Sequence, residues 1–289
     1  MWEEILDVLT AAVTLGAVHV LTVKGSGSVV AEYKDAKELV TTADKRSDAA
    51  ILSVFHERLP RIDPAIAFHL EESGFFGSPS NKRVGADPLD GTNHFAAGGN
   101  LYSVQAHYVE EGVPLVGVVF QPEVYLPLEE TGECVGRMAL ATRGQGAFVR
   151  RSLFRGDAFD FGEARRLTNR SRPKTRTYVS CVPFSTKMTP AERDRTKRVY
   201  DSGIISSTTG TGGAGGNVMM TILGGQHVYA NFGAGEDLDL IPPQVIAEEA
   251  GMTVWGIDRR PPVWKVRKQP FIVAPTPEIA EEFLRAAGL

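Results

Sequence analysis

The chain has 289 residues, 43% of them hydrophobic and 23% charged, enough for a large core in one broad domain or two closely packed halves. A net charge of −4 and a pI near 5.9 give no global reason to expect nucleic acid or an anionic membrane as partner. Only two cysteines, Cys134 and Cys181, are present, which argues against a disulfide framework or a thiolate metal site and fits a reducing, cytoplasmic compartment.

The amino terminus, Met1-Trp2-Glu3-Glu4, is acidic where a secretion signal would be basic. Ile5, Leu9, Val13, Gly16 and Val20 recur at helical spacing, so the first segment reads as an amphipathic helix ended by Gly25 to Gly27. Its apolar stretch from Leu9 to Val23 is interrupted by Thr10, Thr14, Gly16 and His19 and reads as too short to span a bilayer. No membrane partner is expected. After a charged loop, Lys34 to Lys37, Thr41 and Asp44 form a capping box with Asp in place of Glu. They open a helix that carries Ile51, Val54 and Phe55 inward. By capping alone, Asp44 is a first-turn carboxylate.

The mostly apolar run Ala65 to Leu70 predicts a strand that ends at the acid pair Glu71-Glu72. Next comes Asp87-Pro88-Leu89-Asp90-Gly91-Thr92-Asn93-His94-Phe95. Two acids three apart, with proline between and Gly-Thr after, suit a strand end breaking into a turn. Pro88 has a fixed φ and no N–H, and Gly91 permits a tight bend. In such a turn Asp87, the Leu89 carbonyl, Asp90 and the Thr92 hydroxyl converge on one small volume. That oxygen-only set suits a hard cation such as Mg2+ rather than zinc. The plainer reading is a solvated loop, because Asp-Pro and Asp-Gly are common turn dipeptides.

Val104 to Val109 and Val113 to Phe120, joined by Glu110-Glu111-Gly112, predict a hairpin, and Met138 to Thr142 with Ala147 to Val149 predict a second. Residues 150 to 175 read as a connection between a first half, 1–150, and a second, 151–289. The basic cluster Arg165, Arg166, Arg170, Arg172, Lys174 and Arg176 is a solvated loop in the simpler reading and a phosphate or substrate-edge patch in the other. Val179 to Val182 is a short strand, and Pro190 to Tyr200 a helix capped by Thr189. The glycine-rich run from Gly210 to Asn217 opens an apolar helix. Such a turn can present N–H groups to an anion, or simply let helix and sheet pack closely; it is neither a P-loop nor a dinucleotide-binding turn. A strand from His227 to Phe232, an acidic loop from Gly235 to Asp239 and a helix from Pro242 to Ala250, stopped by Gly251, follow. A buried strand, Phe271 to Ala274, and a helix capped by Thr276 with Ile279 and Phe283 inward complete the chain. Hairpins first and strand–helix units later indicate a layered α/β architecture.

The stretch Asp87 to Phe95 resembles the metal-binding motif DPxDGTxxF of the inositol monophosphatase family, the lithium-sensitive, Mg2+-dependent phosphatases related to fructose-1,6-bisphosphatase. Leu70-Glu71-Glu72-Ser73 is similar to its companion motif GEES, with Leu70 for Gly. Val40 to Asp44 matches V-T-x-x-D, and Ala141 to Phe148 matches A-x-x-G-x-G-A-F. The glycine-rich turn resembles G-S-x-A-x-N, with Gly213 where Ser is usual, a change that leaves room for a bulkier ligand. The third motif places its acid ten residues before the Glu of E-A-G. Counting back from Glu249 selects Asp239 and leaves Asp237 exposed in the loop or behind the ligands. Leu238 replaces the motif's Trp, and Ile241-Pro242-Pro243 its small residues.

The resemblance implies an αβαβα sandwich from Val40 to the last strand, and usually a homodimer. It implies two or three Mg2+ ions: Glu71, Asp87 and the Leu89 carbonyl at the first, Asp87, Asp90 and Asp239 at the second, and Glu71 also at a weaker third. Thr92, polarised by Asp44, would orient the attacking water. Asp90, Gly91, Thr92, Gly213, Ala214 and Asn231 would bind a small-molecule phosphate monoester. Asn231 stands where inositol-specific members carry a Glu for sugar hydroxyls, which points to a sugar, amino-sugar or nucleoside monophosphate. The alternatives are a genuine inositol monophosphatase and, from another class, a non-catalytic binding relative.

Overall fold

The computed structural model describes residues 1–34, 38–124, 134–169, 177–184, 188–210, 212–233, 235–265 and 268–289. Helix α1 (Trp2–Gly25) leads to the hairpin β1 (Ala31–Tyr33) and β2 (Leu39–Thr41), then to helix α2 (Thr42–Ile62). Strands β3 (Ala67–Leu70), β4 (Gly74–Phe76) and β5 (Lys82–Asp90) precede a short helix α3 (Thr92–Ala96). Next come β6 (Ser103–Glu110), β7 (Val113–Gln121), β8 (Cys134–Thr142), β9 (Gly146–Arg155), β10 (Ala158–Phe161) and β11 (Arg165–Leu167). The remainder runs β12 (Tyr178–Cys181), α4 (Pro190–Asp201), β13 (Ile205–Thr208), α5 (Ala214–Ile222) and β14 (Val228–Asn231). It closes with α6 (Asp237–Glu249), β15 (Thr253–Trp255), β16 (Phe271–Ala274) and α7 (Pro277–Ala286).

Among the described residues, strands β3 to β11 make one large sheet in the order β10-β9-β8-β7-β6-β5-β3-β4, with β11 also on β9. Strands β12 to β16 make a smaller one, β13-β12-β14-β16-β15. The side-chain alternation of the strands decides the layering. On β7, Val116, Val118 and Phe120 join the core under α1 and α2, whereas Val119 faces the core shared with α5 and α6. A third core packs α4 and α7 on the outer face of the smaller sheet. The result is an αβαβα sandwich.

Helix α6 meets a sheet on both sides, which is why Leu240, Ile241, Val245, Ile246 and Ala247 are all buried. It starts at Asp237 rather than Pro242, so the acidic loop expected there is the helix's first turn. Close packing on the large sheet needs Gly117, where a Cβ would stand 2.4 Å from the Pro242 carbonyl oxygen.

Two further expectations change. Residues 150 to 175 are not merely a connection: β9 runs through residue 150, and the change of sheet falls between Leu167 and Tyr178. Arg165 and Arg166 lie on β11, while Arg170, Arg172, Lys174 and Arg176 lie outside the described residues. Helix α1, at 24 residues, is long and apolar enough to cross a membrane, contrary to the shorter stretch expected. Here Ile5, Leu9, Val13 and Val20 are buried in the core with α2 and the sheet.

The carboxyl end of α6 is tied to the β8–β9 turn by one side chain. Glu249 accepts hydrogen bonds from the backbone N–H groups of Gly144, at 2.8 Å, and Gly146, at 2.7 Å. Beside it Arg143 donates to Glu248 at 2.7 Å. Truncation as Glu249→Ala is expected to cost about 2 kcal/mol, because it removes charged partners from two turn amides. An unchanged urea midpoint would contradict this.

Candidate active site

Strand register brings the first two acid motifs together. Strand β3 runs parallel to β5 with Leu70 opposite Ala86, so Glu71, the next residue, emerges beside Asp87. The Glu71 N–H donates to the Ala86 carbonyl at 3.3 Å. The Asp-Pro-Leu-Asp segment belongs to β5 itself rather than to a turn, which begins only at Gly91. Residues three apart on a regular strand point to opposite faces. Here the pairing slips between Asp87, opposite Gln105, and Asp90, opposite Ser103. The extra residue is a bulge, which tolerates Pro88 and puts both acids on one face. Gly91, at φ 100°, then reverses the chain into α3.

Asp44 serves as cap and site residue at once. One oxygen accepts the Thr41 N–H at 2.8 Å, and the other accepts from Thr92 Oγ1 at 2.9 Å. Thr92 Oγ1 also lies 3.0 Å from the Leu89 carbonyl. Burial raises the Asp44 pKa, against the hydrogen bonds from Thr41 and Thr92. Asp90 accepts from the N–H groups of Ala214, at 3.1 Å, and Gly215, at 3.0 Å, and from Ser103 Oγ at 3.1 Å. The positive end of α5 is thus filled by a carboxylate of the chain itself. A Cβ at Gly213 would stand 2.2 Å from that carboxylate. Glycine there admits Asp90, which corrects the expectation that it makes room for a bulkier ligand. Gly215 lets α5 approach the sheet, its missing Cβ lying 2.7 Å from Gln105 Oε1.

A cavity of about 610 Å3 opens over these residues, lined among others by Glu71, Asp90, Gly213, Tyr229, Asn231 and Asp239. Asp239 reaches it, whereas Asp237 is fully buried elsewhere, bonded to Arg83 at 2.9 Å, and is not loop-exposed. Pro243, four residues after Asp239, has no N–H for the Asp239 carbonyl. Gln105 Nε2 donates to that carbonyl instead, at 3.4 Å. Lys34 donates to Glu71, at 3.3 Å, and to Glu72. Spacing within the motifs did not single out Asp48, Ser103 or Gln105. Asp48 follows Asp44 by one helical turn and accepts from the Glu72 N–H, at 3.2 Å, and from Ser73 Oγ, so it holds the acid pair against α2.

The acids act on one another electrostatically. Burial, then Glu71, Asp90 and Asp239, push Asp87 well above the usual carboxylate range. Burial, Asp90, Glu71 and Glu236 do the same to Asp239. Burial lifts Asp90 to about 6 against its three hydrogen bonds, and lifts Glu72 to about 7 against Lys34. Among the described residues no three ligating side chains already converge on one point. The donor set still fits hard divalent cations: it is all oxygen, and its members need positive charge to ionise together.

These shifts fix a pH dependence. A carboxyl group whose pKa is higher folded than unfolded binds protons more tightly in the native state, so stability falls as pH rises through the folded value. With Asp90 near 6 and Glu72 near 7, chelated protein is expected to lose Tm between about pH 4, the unfolded carboxyl range, and about pH 7. Mg2+ is expected to raise Tm more at the upper end. A flat Tm profile without Mg2+, measured by calorimetry, would contradict the crowding.

Residues 1–288 match the inositol monophosphatase family. An inositol-1-monophosphatase from Synechocystis sp. is 31% identical over 159 residues, which are 54% of this chain and 54% of that protein. The chain thus aligns with about half the length of that relative. The extragenic suppressor protein SuhB from Bartonella henselae superposes with a TM-score of 0.73 at 20% identity, covering 98% of both chains. An inositol monophosphatase/NADP phosphatase, solved with Mg2+ and phosphate, superposes at 0.66 with 18% identity, covering 93% of this chain and 90% of that one. With a family match from the first residue to the penultimate one, the chain belongs to the inositol monophosphatase family, whose members are metal-dependent phosphoric monoester hydrolases.

Proposed function

We propose that this protein hydrolyses a small-molecule phosphate monoester with the help of Mg2+. The observation that carries the reading is the Thr92–Asp44 pair, 2.9 Å apart, facing a cluster of acids that need divalent charge. Glu71, Asp87 and the Leu89 carbonyl would hold one ion, and Asp87, Asp90 and Asp239 a second, with Glu71 available to a third. Bound Mg2+ supplies positive charge to the phosphoryl oxygens and the leaving alkoxide and lowers the pKa of the attacking water. Thr92 Oγ1 accepts a hydrogen bond from that water while donating its own proton toward Asp44. The capping bonds from Thr41 keep the Asp44 carboxylate aimed at Thr92. Burial raises the proton affinity of Asp44, which suits an acceptor.

The cavity wall beyond the acids supports a substrate other than an inositol phosphate. Asn231 lines it, but its amide is already engaged: Oδ1 accepts the Gly233 N–H at 2.9 Å, and Nδ2 lies 3.5 Å from the Tyr229 hydroxyl. The nearby acid Glu236 pairs with Lys268 at 2.9 Å. Cys181, Pro183, Met188 and Leu238 contribute apolar surface. With the amide of Asn231 in place of a carboxylate and apolar groups beside it, this wall supports a sugar, amino-sugar or nucleoside monophosphate over a polyol that seeks a carboxylate acceptor.

Two experiments test this. Asp90→Asn is expected to retain the fold and to lose about 100-fold or more in kcat, since a cation ligand and the acceptor for α5 change together. Undiminished phosphate release would overturn the catalytic reading. Comparison of kcat/KM across inositol 1-phosphate, a nucleoside monophosphate and sugar phosphates is expected to place inositol 1-phosphate below another compound. If it leads by about tenfold, the pocket reading fails while the catalytic one stands.

A further inference from the structure

Strand β5 and the first turn of α6 meet in two places with opposite electrostatics. At the cavity, Asp87 on β5 and Asp239 on α6 are both buried acids beside Asp90 and Glu71, and Asp239 adds to the negative surroundings of Asp87. At the other end, Arg83 on β5 donates from Nη2 to Asp237 on α6 at 2.9 Å. Arg83 and Asp87 share a strand face, because the alternate residues Val84 and Ala86 belong to the core under α1 and α2. Asp237 and Asp239 are the first and third residues of the helix. The same two elements therefore carry one repulsive and one attractive contact, four residues apart on β5 and two apart on α6.

The space between these contacts is filled. A Cβ at Gly85 would stand 2.4 Å from His107 Cε1 and 2.8 Å from Leu238 Cδ2, so a side chain there would have to displace both of those side chains. His107 is fully buried and neither of its ring nitrogens has a hydrogen bond, so it does not compete with Arg83 for Asp237. Asp237 has no exposed surface, and Arg83 is 21% exposed, so solvent ions screen their attraction weakly. Gln105 Nε2, on the large sheet, also tethers this first turn, donating to the Asp239 carbonyl at 3.4 Å.

We propose that the Arg83–Asp237 ion pair is a positioning element for cation binding: it clamps the first turn of α6 to β5 and presents Asp239 beside Asp87 and Asp90. The inference rests on the Mg2+-dependent reading above. Asp237 and Arg83 touch neither substrate nor cation in this scheme; they act through Asp239. Without the clamp, repulsion within the acid cluster would move the turn outward, and the cation would have to draw it back on binding.

The test is calorimetric titration of Mg2+ into the full chain without substrate, together with p-nitrophenyl phosphate hydrolysis and Tm. Removing one charge strands the other in a buried place and puts the fold at risk. The informative variant is therefore the double exchange Arg83→Gln with Asp237→Asn, which keeps a neutral hydrogen-bonding pair. Its Mg2+ Kd is expected to rise about tenfold or more, the usual scale for groups that orient metal ligands, while KM at saturating Mg2+ stays within about twofold. Arg83→Lys, which keeps the charge, is expected to recover most of the affinity. A folded double variant that binds Mg2+ like the wild type, with loss confined to Tm, would overturn the clamp and leave the phosphatase reading intact. Wild-type protein that takes up no Mg2+ would overturn both.

Discussion

Mutual repulsion among Glu71, Asp87, Asp90 and Asp239 is the constraint on which the rest of this structure depends. Four carboxylates at one cavity oppose folding, since burial disfavours the charge on Asp87, Asp90 and Asp239 and their acidic neighbours disfavour it further. They stay together because each is anchored by a different part of the chain. Glu71 is delivered by the parallel register of β3 on β5, and Asp87 and Asp90 by a bulge in β5. Asp90 is further held by the N–H groups at the start of α5. Asp239 is carried on a helix wedged between two sheets. The apolar cores stabilise the protein enough to tolerate this local cost, as is common where structure serves a site.

The layering explains why α6 can bear such a load. A surface helix would give way to repulsion at its first turn. This one is buried on nearly every side, lies over Gly117 on the large sheet, and is pinned at its far end by Glu249 on the β8–β9 turn. Its two prolines would weaken an ordinary helix by removing intrahelical hydrogen bonds. Here Pro243 frees the Asp239 carbonyl for Gln105, so a local defect becomes a tether to the sheet.

The cavity divides into two parts with different chemistry. The acid end is built from the family's motifs and presents carboxylate oxygens, with Lys34 beside Glu71 and Glu72. The opposite wall departs from those motifs, with Asn231 and Leu238 in place of an acid and an aromatic residue. The family match over residues 1–288 covers both parts, but identities near 20% to structural neighbours speak to the fold and leave that wall to be read from its own residues.

Much of this was legible in the sequence because it depends on short-range physics. Capping boxes, the helix register from Glu249 to Asp239, the hairpins and the acid motifs all lie within a few turns or strands of chain, where periodicity and turn chemistry decide the outcome. The tertiary structure decided what depends on residues far apart. Gly213 read either as room for a ligand or as close packing, and Asp90, more than a hundred residues earlier, stands where its side chain would be. Asp237 read as an exposed loop acid or one behind the ligands, and the packed chain shows it fully buried and paired with Arg83. The α1 segment reads alike as core helix or membrane span, and its partners α2 and the sheet make it core. Local propensity cannot report which distant side chain fills a space or neutralises a charge; only the packed chain brings the two together.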